Sequence, residues 1–160
     1  MAKLKIRIFP DPDLRVKADK VESVGQAEKD LLADMALTMY LSQGVGLAAT
    51  QVGISKSLVV IDVGDGLIKL VNPIITKKEG AQVSEEGCLS VPGECIKIKR
   101  AKIVVVNFLN EDGEPSRIKG EGLFAKAVQH ELDHLSGKLI IDYLNPIKKL
   151  LTRTKSCRRI

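Results

Sequence analysis

Two stretches of the chain repeat hydrophobic residues at three- and four-residue spacing, which is the period of an amphipathic helix. The first runs from about Gln26 to Leu41, and the second from about Gly122 to Leu135. Gly44 lies just beyond the first stretch and Gly137 just beyond the second, where glycine commonly ends a helix. The apolar positions are Leu31, Leu32, Met35 and Met39 in the first helix, and Leu123, Ala127, Val128, Leu132 and Leu135 in the second.

Further stretches are rich in β-branched residues or alternate apolar and polar positions, as strands do. They are Ser57–Val63, Leu67–Val71, Cys95–Lys99 and Lys102–Leu109. The first two would form a hairpin-like unit that closes near Pro73 and Gly80, and the last two an antiparallel pair around Arg100. Because strands and helices do not alternate, the sequence predicts an α+β fold, with antiparallel sheets around the second helix and the other helix near the N-terminus.

The chain has 160 residues, which is enough for one domain but too few for two ordinary ones. We expect residues 1–144 to form this single domain and residues 145–160 to form a basic C-terminal tail. Apolar residues make up 44% of the chain and charged residues 28%, a balance typical of soluble globular proteins. No stretch approaches the roughly 18 consecutive apolar residues of a membrane helix.

The net charge of +5 comes from the C-terminal end, where six cations follow Asp142 without any acid. They are Lys148, Lys149, Arg153, Lys155, Arg158 and Arg159. Without them the rest of the chain carries a net charge of about −1. A basic tail of this kind can bind RNA, including ribosomal RNA. A solvated chain terminus is the simpler interpretation.

Both histidines of the chain lie in the segment Gln129–His134, which has the sequence QHELDH. In a helix, positions i and i+4 lie on the same face, so His130 and His134 can direct both imidazoles at one metal ion. Glu131 would then stand beside the ion without binding it. The alternative is a pair of hydrogen-bonded histidines on an amphipathic helix, with no metal.

A catalytic metal site usually has three protein ligands and one open position. The chain has no further histidine and Asp133 lies on another side of the helix, so a thiolate or a distant carboxylate must supply the third ligand. Cys88, in the segment EGCLS, has the most specific surroundings of the three cysteines. A lone cysteine is otherwise more often a small buried apolar residue, and the missing ligand favours Cys88.

A third motif, GVGLAATQ, spans Gly44–Gln51 and combines glycines with small residues that leave room for a ligand. Alone it would be a helix-ending turn followed by a packing segment. Together, GVGLAATQ, EGCLS and QHELDH closely resemble, in order and spacing, the three signature motifs of the peptide deformylase family. The resemblance extends from Asp11–Arg15 through Asp142–Leu144.

The resemblance implies a hydrolase of linear amides that removes the formyl group from the N-terminal methionine of nascent polypeptides. It implies that Cys88, His130 and His134 hold one divalent metal ion with a water as fourth ligand. Fe(II) is then the expected ion in the cell, and the same ligands accept Zn, Ni or Co. It also implies a compact α+β fold in which antiparallel sheets surround the metal-binding helix.

The chemistry of these residues predicts a metal-activated water, with Glu131 as general base and then general acid. By analogy with the family, the side-chain amide of Gln51 and the backbone N–H of Leu89 stabilise the oxyanion. A slot for the methionine side chain would come from Val45, Gly46, Leu123 and Ala127. Gly44 and Gly46 would leave backbone groups open to pair with an extended peptide.

Two other functions use part of the same sequence. A zincin-like metallopeptidase would use His130, Glu131 and His134 but would not require EGCLS or GVGLAATQ. A non-catalytic ribosome- or RNA-binding protein would hold a structural metal, with Cys95 as the fourth ligand.

We expect formyl-methionyl nascent peptides as partners, with a ribosome contact through the basic tail, and neither membrane nor DNA. The odd number of cysteines indicates thiols in a reducing compartment, and the N-terminus is not typical of a secretory signal. The expected location is therefore the cytoplasm, for a bacterial or a bacteriophage-encoded protein.

Overall fold

The computed structural model describes residues 1–145, 147, 159 and 160. The helices are α1 (Gln26–Leu41) and α2 (Gly122–Leu135), with the bounds that the periodicity predicts. Over the described residues the strands are β1 (Gly46–Ala48), β2 (Leu58–Ile61), β3 (Ile68–Glu79), β4 (Gln82–Cys88), β5 (Val91–Arg100), β6 (Ile103–Leu109) and β7 (Pro115–Glu121). No helix in this part of the chain is long and apolar enough to cross a membrane.

The strands form two antiparallel sheets. The larger sheet has the order β1-β2-β3-β6-β7, and the smaller one consists of β4 and β5. In the larger sheet Leu47 pairs with Val60, and Val59 pairs with Leu70. In the smaller sheet Glu86 pairs with Ile96, and Cys88 pairs with Val91 after a bulge. This bulge alters the spacing of β4 immediately before Cys88.

Helix α2 lies at the centre of the fold. Every residue from Phe124 to Glu131 is buried, so nearly the whole circumference of this part of the helix contacts other elements. One side packs on the apolar face of the larger sheet, where Val59, Leu70 and Val106 belong to the same buried cluster as Val128. Helix α1 packs on the opposite face of the sheet in a second cluster. The predicted α+β fold with antiparallel sheets around the second helix is confirmed.

Strand β3 continues past Pro73, where the sequence predicted the end of a hairpin. Pro73 has no N–H for the ladder, and the register of β3 against β6 shifts between Val71 and Ile74. Asn72 adopts a positive φ of 51° at this bulge. Its side chain accepts the Val21 N–H at 2.9 Å and donates to the Val21 carbonyl at 2.8 Å, which holds the irregular backbone in place.

The predicted antiparallel pair around Arg100 is wrong. β5 and β6 are both strands, but β5 pairs with β4 and β6 pairs with β3 and β7. Strands β4 and β7 were missed because neither has a clear apolar pattern. In β4 the polar residues Gln82, Ser84 and Glu86 are less exposed than Val83, and in β7 Ile118 is the one large apolar residue among the half-buried positions. The chain therefore changes sheets at Arg100, whose side chain is buried behind helix α2.

Candidate metal centre

The two histidines of helix α2 face the same point. His130 and His134 are each 1% exposed, and their Nε2 atoms lie 3.2 Å apart. The rings meet edge to face with centroids 4.9 Å apart. One helical turn separates the residues, which is why both side chains project from a single face.

Cys88, at the end of β4, brings a thiol to the same point. Its Sγ lies 3.2 Å from His134 Nε2, and the three donor atoms of Cys88, His130 and His134 all lie within 4.8 Å of one another. The bulge between Glu86 and Cys88 places the side chain there. Cys95, the fourth ligand of the structural-metal alternative, is not part of this cluster; its Sγ contacts Glu85 at 3.7 Å.

The spacing and chemistry of the three donors fit a tetrahedral metal ion. With ligand bonds of about 2.1 Å to nitrogen and about 2.3 Å to sulfur, adjacent donors around such an ion would lie about 3.4 to 3.6 Å apart. Burial lowers the pKa of His134 well below its usual value, which keeps the imidazole neutral as a ligand must be. Burial raises the pKa of the Cys88 thiol to about 12 in the protein alone, so a cation is needed to hold the thiolate.

A buried carboxylate contacts His130 at Nδ1, the ring nitrogen that faces away from the donor cluster. Glu86 Oε1 lies 3.0 Å from His130 Nδ1, and Arg100 donates to both carboxylate oxygens of Glu86 at 2.9 Å. Burial alone would raise the pKa of Glu86, but the hydrogen bonds from His130 and Arg100 outweigh it and hold the pKa below its ordinary value. Glu86 is therefore ionised, and it fixes the tautomer that leaves Nε2 free for a metal.

Arg100 extends this network away from the histidines. Its Nη1 donates to Asp133 Oδ2 at 2.7 Å and to Tyr143 Oη at 2.9 Å, and Tyr143 Oη donates to the same Asp133 oxygen at 2.6 Å. Asp133 thus points away from the donor cluster, as its position on the helix predicts. The supporting roles of Glu86 and Arg100 were missed. The only signal was the presence of Glu86 within EGCLS, because its contacts come from distant parts of the chain.

Glu131 lies beside the donor cluster with no exposed surface. Neither carboxylate oxygen has a hydrogen-bond partner within bonding distance among the described residues. The nearby Ala48 N–H donates to Gln51 Oε1 at 2.9 Å instead. Burial raises the pKa of Glu131 well above its usual value, and the charge of Glu86 adds to this shift. Such a carboxyl group binds a proton more readily than an exposed one and can exchange it with a reacting molecule.

Gly46 makes room for this carboxyl group. A Cβ on Gly46 would overlap the Glu131 carboxylate and would lie 3.0 Å from its Cδ. The backbone of Gly46 pairs with Ile61 on one side only, because β1 is the edge strand of the larger sheet. Gly46 therefore has a packing reason to be glycine in addition to the predicted contact with a peptide.

Gln51 and Leu89 lie close to the thiol. Gln51 has no exposed surface, and its Nε2 lies 3.8 Å from Cys88 Sγ and 3.2 Å from Ser90 Oγ. Leu89 directly follows Cys88 and is 6% exposed. A Cβ on Gly44 would meet Leu89 Cδ1 at 2.8 Å, so these two segments are in close contact. Both predicted donors are thus near the cluster.

The predicted slot residues are only partly brought together. Val45 and Ala127 belong to one buried apolar cluster with Phe124 and Val128. Leu123 is half-buried in the first turn of α2 and is not a member of that cluster. The same cluster contains a residue that the sequence did not indicate, Ile160, which has no exposed surface.

A thiol and two imidazoles around one point, with a buried carboxyl group beside them, define the class of a mononuclear metallohydrolase. The model of the polypeptide deformylase family matches residues 3–150. The chain belongs to the polypeptide deformylase family, and it is a hydrolase.

The chain is similar over nearly its whole length to bacterial peptide deformylases. It is 46% identical to "Peptide deformylase 2" of Xanthomonas axonopodis pv. citri, over 99% of this chain and 97% of that protein. It is 49% identical to the peptide deformylase of Pseudoalteromonas translucida, over 97% of this chain and 95% of that protein. The resemblance of the three motifs to this family is thereby confirmed.

Solved structures agree with the fold. The crystal structure of a peptide deformylase from Legionella pneumophila superposes with a TM-score of 0.90 at 45% identity, covering 94% of this chain and 90% of that one. The peptide deformylase from Ehrlichia chaffeensis in complex with actinonin gives 0.92 at 36% identity, covering 94% of each chain. Neither a zincin-like metallopeptidase nor a non-catalytic RNA-binding protein is favoured by these matches.

Proposed function

We propose that this protein removes the formyl group from the N-terminal formyl-methionine of nascent polypeptides. The observation that carries the proposal is the buried cluster of Cys88, His130 and His134 with the Glu131 carboxyl group beside it. This arrangement provides one metal position and one proton carrier within a site of low solvent access. Membership of the polypeptide deformylase family supplies the reaction.

The metal ion is divalent, and Fe(II) is our proposal for the cell, with Zn, Ni and Co as ions that the same ligands accept. When bound, the ion lowers the pKa of a water ligand and polarises the formyl oxygen. A neutral His134, a His130 held by Glu86 and a thiolate from Cys88 give it a net ligand charge of −1. The Glu86–Arg100 pair carries no net charge of its own at the site.

Glu131 moves the proton. As general base it takes a proton from the attacking water, and as general acid it delivers that proton to the departing amine of methionine. Its buried and unpartnered oxygens are well suited to this role, because no described side chain competes for them. Burial raises the pKa of this carboxyl group well above its usual value, which increases its affinity for the proton that it carries.

Gln51 and Leu89 stabilise the negative charge that develops on the formyl oxygen. The Gln51 amide is held by Ala48 and Ser90 beside the thiol, and the Leu89 backbone N–H follows Cys88 directly. Donors that are already fixed in a dry site need no reorganisation during the reaction. Removing one such donor costs about 10² to 10³ in kcat in comparable sites.

The methionine side chain enters an apolar pocket that includes Val45 and Ala127, with Gly46 and Leu123 at its border. The peptide that follows methionine pairs with the free edge of β1 at Gly46 and with the segment before β1 at Gly44. These assignments follow from the sequence motifs and from the buried cluster around Val45. Nascent chains carry their formyl-methionine in the bacterial cytoplasm, which is our proposed location for the protein.

Residues 1–144 would form the catalytic domain, and the basic segment 145–160 would contact the ribosome. Of this segment, residues 146 and 148–158 lie outside the described part of the chain. Arg159 is exposed, as expected of a solvated tail. Ile160 is fully buried, so the expectation of a solvated terminus does not hold at the last residue.

The test compares three peptides with anaerobically prepared, iron-loaded protein. Formyl-Met-Ala-Ser should be hydrolysed, whereas acetyl-Met-Ala-Ser and a longer peptide with both ends blocked should not. Cleavage of the blocked peptide at an internal bond would overturn the proposal in favour of a metallopeptidase. Bound metal without turnover of any of the three would favour a binding role.

A further inference from the structure

The last two residues of the chain lie against strand β4 next to the metal centre. Arg159 forms a parallel bridge with Gly87, and the Ile160 N–H donates to the Gly87 carbonyl at 3.1 Å. Gly87 lies in the bulge between Glu86 and Cys88, and among the described strands β4 pairs only with β5. The C-terminal dipeptide therefore adds a short strand to β4 beside Cys88.

The side chains of the dipeptide alternate as in a strand. Arg159 is exposed, whereas Ile160 has no exposed surface and joins the apolar cluster of Val45, Ala127 and Val128. Two of these residues are those that we assign to the methionine pocket. An unbranched methionine side chain and the isoleucine side chain are similar in volume and both are apolar, so each suits such a pocket.

The dipeptide runs along β4 toward the donor cluster. Because the bridge is parallel, residues 159 and 160 run in the same direction as β4, which leads to Cys88. The partner of the Ile160 N–H is Gly87, which directly precedes Cys88 in the chain. The contact thus combines a backbone hydrogen bond to the residue before Cys88 with a side chain that is buried in the apolar cluster of Val45 and Ala127.

We propose that the C-terminal residues Arg159 and Ile160 are a built-in competitor of the peptide substrate. This inference rests on the proposed function, because it assumes that the methionine side chain uses the pocket of Val45 and Ala127. Ile160 and the substrate cannot occupy that pocket together. Substrate binding therefore requires that the C-terminal dipeptide leave β4.

The competition is intramolecular and reversible. A tethered segment acts at an effective concentration of the order of millimolar, so a weak contact is enough to fill the pocket for much of the time. The apparent KM then equals the intrinsic KM divided by the fraction of molecules whose pocket is free. A pocket that is free about one third of the time raises KM about threefold and leaves kcat unchanged.

The first experiment measures docking without any catalysis. Carboxypeptidase A is added to the metal-loaded full chain, and release of Ile160 is followed by mass spectrometry. Ile160 should be released at least about tenfold more slowly than from a free peptide with the sequence of residues 153–160. Saturating formyl-Met-Ala-Ser amide should remove this protection. Equal release rates for the chain and the free peptide would overturn the inference.

The second experiment uses full-length variants. Ile160→Asp should lower the KM for formyl-Met-Ala-Ser about threefold with kcat unchanged, because a charged side chain does not enter the apolar pocket. Ile160→Leu, which keeps an apolar side chain, should retain the KM of the natural chain. The free peptide of residues 153–160 should inhibit the Ile160→Asp variant competitively with respect to substrate.

The outcomes separate a competitor from a structural residue and from a failure of the proposed function. If Ile160→Asp lowers the melting temperature and kcat while KM stays the same, Ile160 serves only as a packing residue of the hydrophobic core. The inference is then wrong. If KM rises with protein concentration, the pocket is filled by a second copy, which also overturns the intrachain assignment. Protection of Ile160 in a protein that hydrolyses no formyl peptide would overturn the proposed function but leave the docking intact.

Discussion

At the scale of single residues, Gly46 and Glu131 depend on each other. Glu131 carries two buried oxygens without a full hydrogen bond, and the missing side chain of Gly46 leaves the space that the carboxyl group fills. The unusual proton affinity that we assign to Glu131 follows from this burial. Position 46 therefore controls where the Glu131 carboxyl group lies.

Replacement of Gly46 by alanine tests this dependence. Because the added Cβ would overlap the carboxylate, Gly46→Ala should displace Glu131 and lower kcat for formyl-Met-Ala-Ser about 100-fold, with metal content unchanged. The matched control is Gly25→Ala, where a Cβ meets only ordinary contact, with Glu28 at 3.5 Å. Equal kcat values for the two variants would show that Glu131 tolerates the displacement or plays no part in proton transfer.

Glu86 provides a second residue-scale prediction. Glu86→Gln keeps the shape of the side chain but removes the negative charge of the carboxylate, which contacts both Arg100 and His130. We expect the metal affinity to fall about 10- to 100-fold, since partners that orient a ligand histidine contribute about this much. Competition with a chelator measures the affinity. The control is Glu85→Gln at the adjacent exposed position; if both variants retain the metal equally, Glu86 does not support His130.

At the scale of elements, helix α2 could be predicted in full and strand β4 could not. The spacing of His130 and His134 predicts two metal ligands on one helical face, and in the structure their Nε2 atoms lie 3.2 Å apart. The third donor comes from β4, a strand whose residues Gln82, Ser84 and Glu85 give no apolar alternation. The sequence indicates Cys88 only because a metal site needs a third ligand and because Cys88 lies in the EGCLS motif. The position of β4 itself depends on tertiary packing, which no local pattern shows.

The start of helix α1 gives an element-scale prediction on stability. Glu28 accepts the Gly25 N–H at 2.9 Å and a hydrogen bond from Lys56 at 2.7 Å, which joins the helix start to the segment before β2. The hydrogen bond from Lys56, followed by that from Gly25, lowers the pKa of Glu28 to about 2. The ionised carboxylate is therefore preferred in the folded protein.

The sign of the pH effect follows from this lowered pKa. The contribution of Glu28 to stability is present above its unfolded pKa of about 4.3 and is lost as the pH falls toward about 2. Glu28→Gln should therefore be less stable than the natural chain at pH 7, and the difference should shrink below about pH 4. Urea unfolding of the two proteins across this pH range measures it. A difference that is independent of pH would contradict the assignment.

At the scale of the whole molecule, fold class and family could be predicted, whereas strand pairing could not. The local sequence predicts that β5 and β6, on either side of Arg100, pair with each other, but they belong to different sheets. The buried Arg100 side chain donates hydrogen bonds to Glu86 and Asp133. Long-range contacts of this kind decide which sheet each strand joins. The docking of Ile160 beside Gly87 is likewise a long-range contact that no local pattern indicates.

The same long-range packing assembles the centre from three separate segments. GVGLAATQ supplies Gly46 and Gln51, EGCLS supplies Cys88, and QHELDH supplies the two histidines and Glu131. We propose that these segments together form a metal-dependent deformylase with Glu131 as the proton carrier. The most direct test of this proposal separates metal binding from turnover.

That test measures hydrolysis of formyl-Met-Ala-Ser and metal content together, for the anaerobically iron-loaded chain and for Glu131→Gln. We predict turnover by the natural chain, and for the variant a loss of about 10² to 10⁴ in kcat with one ion still bound per chain. The matched control is Glu121→Gln, at an exposed position just before α2, which should keep both properties. Normal turnover by Glu131→Gln, or no turnover by a natural chain that holds its metal, would contradict the account.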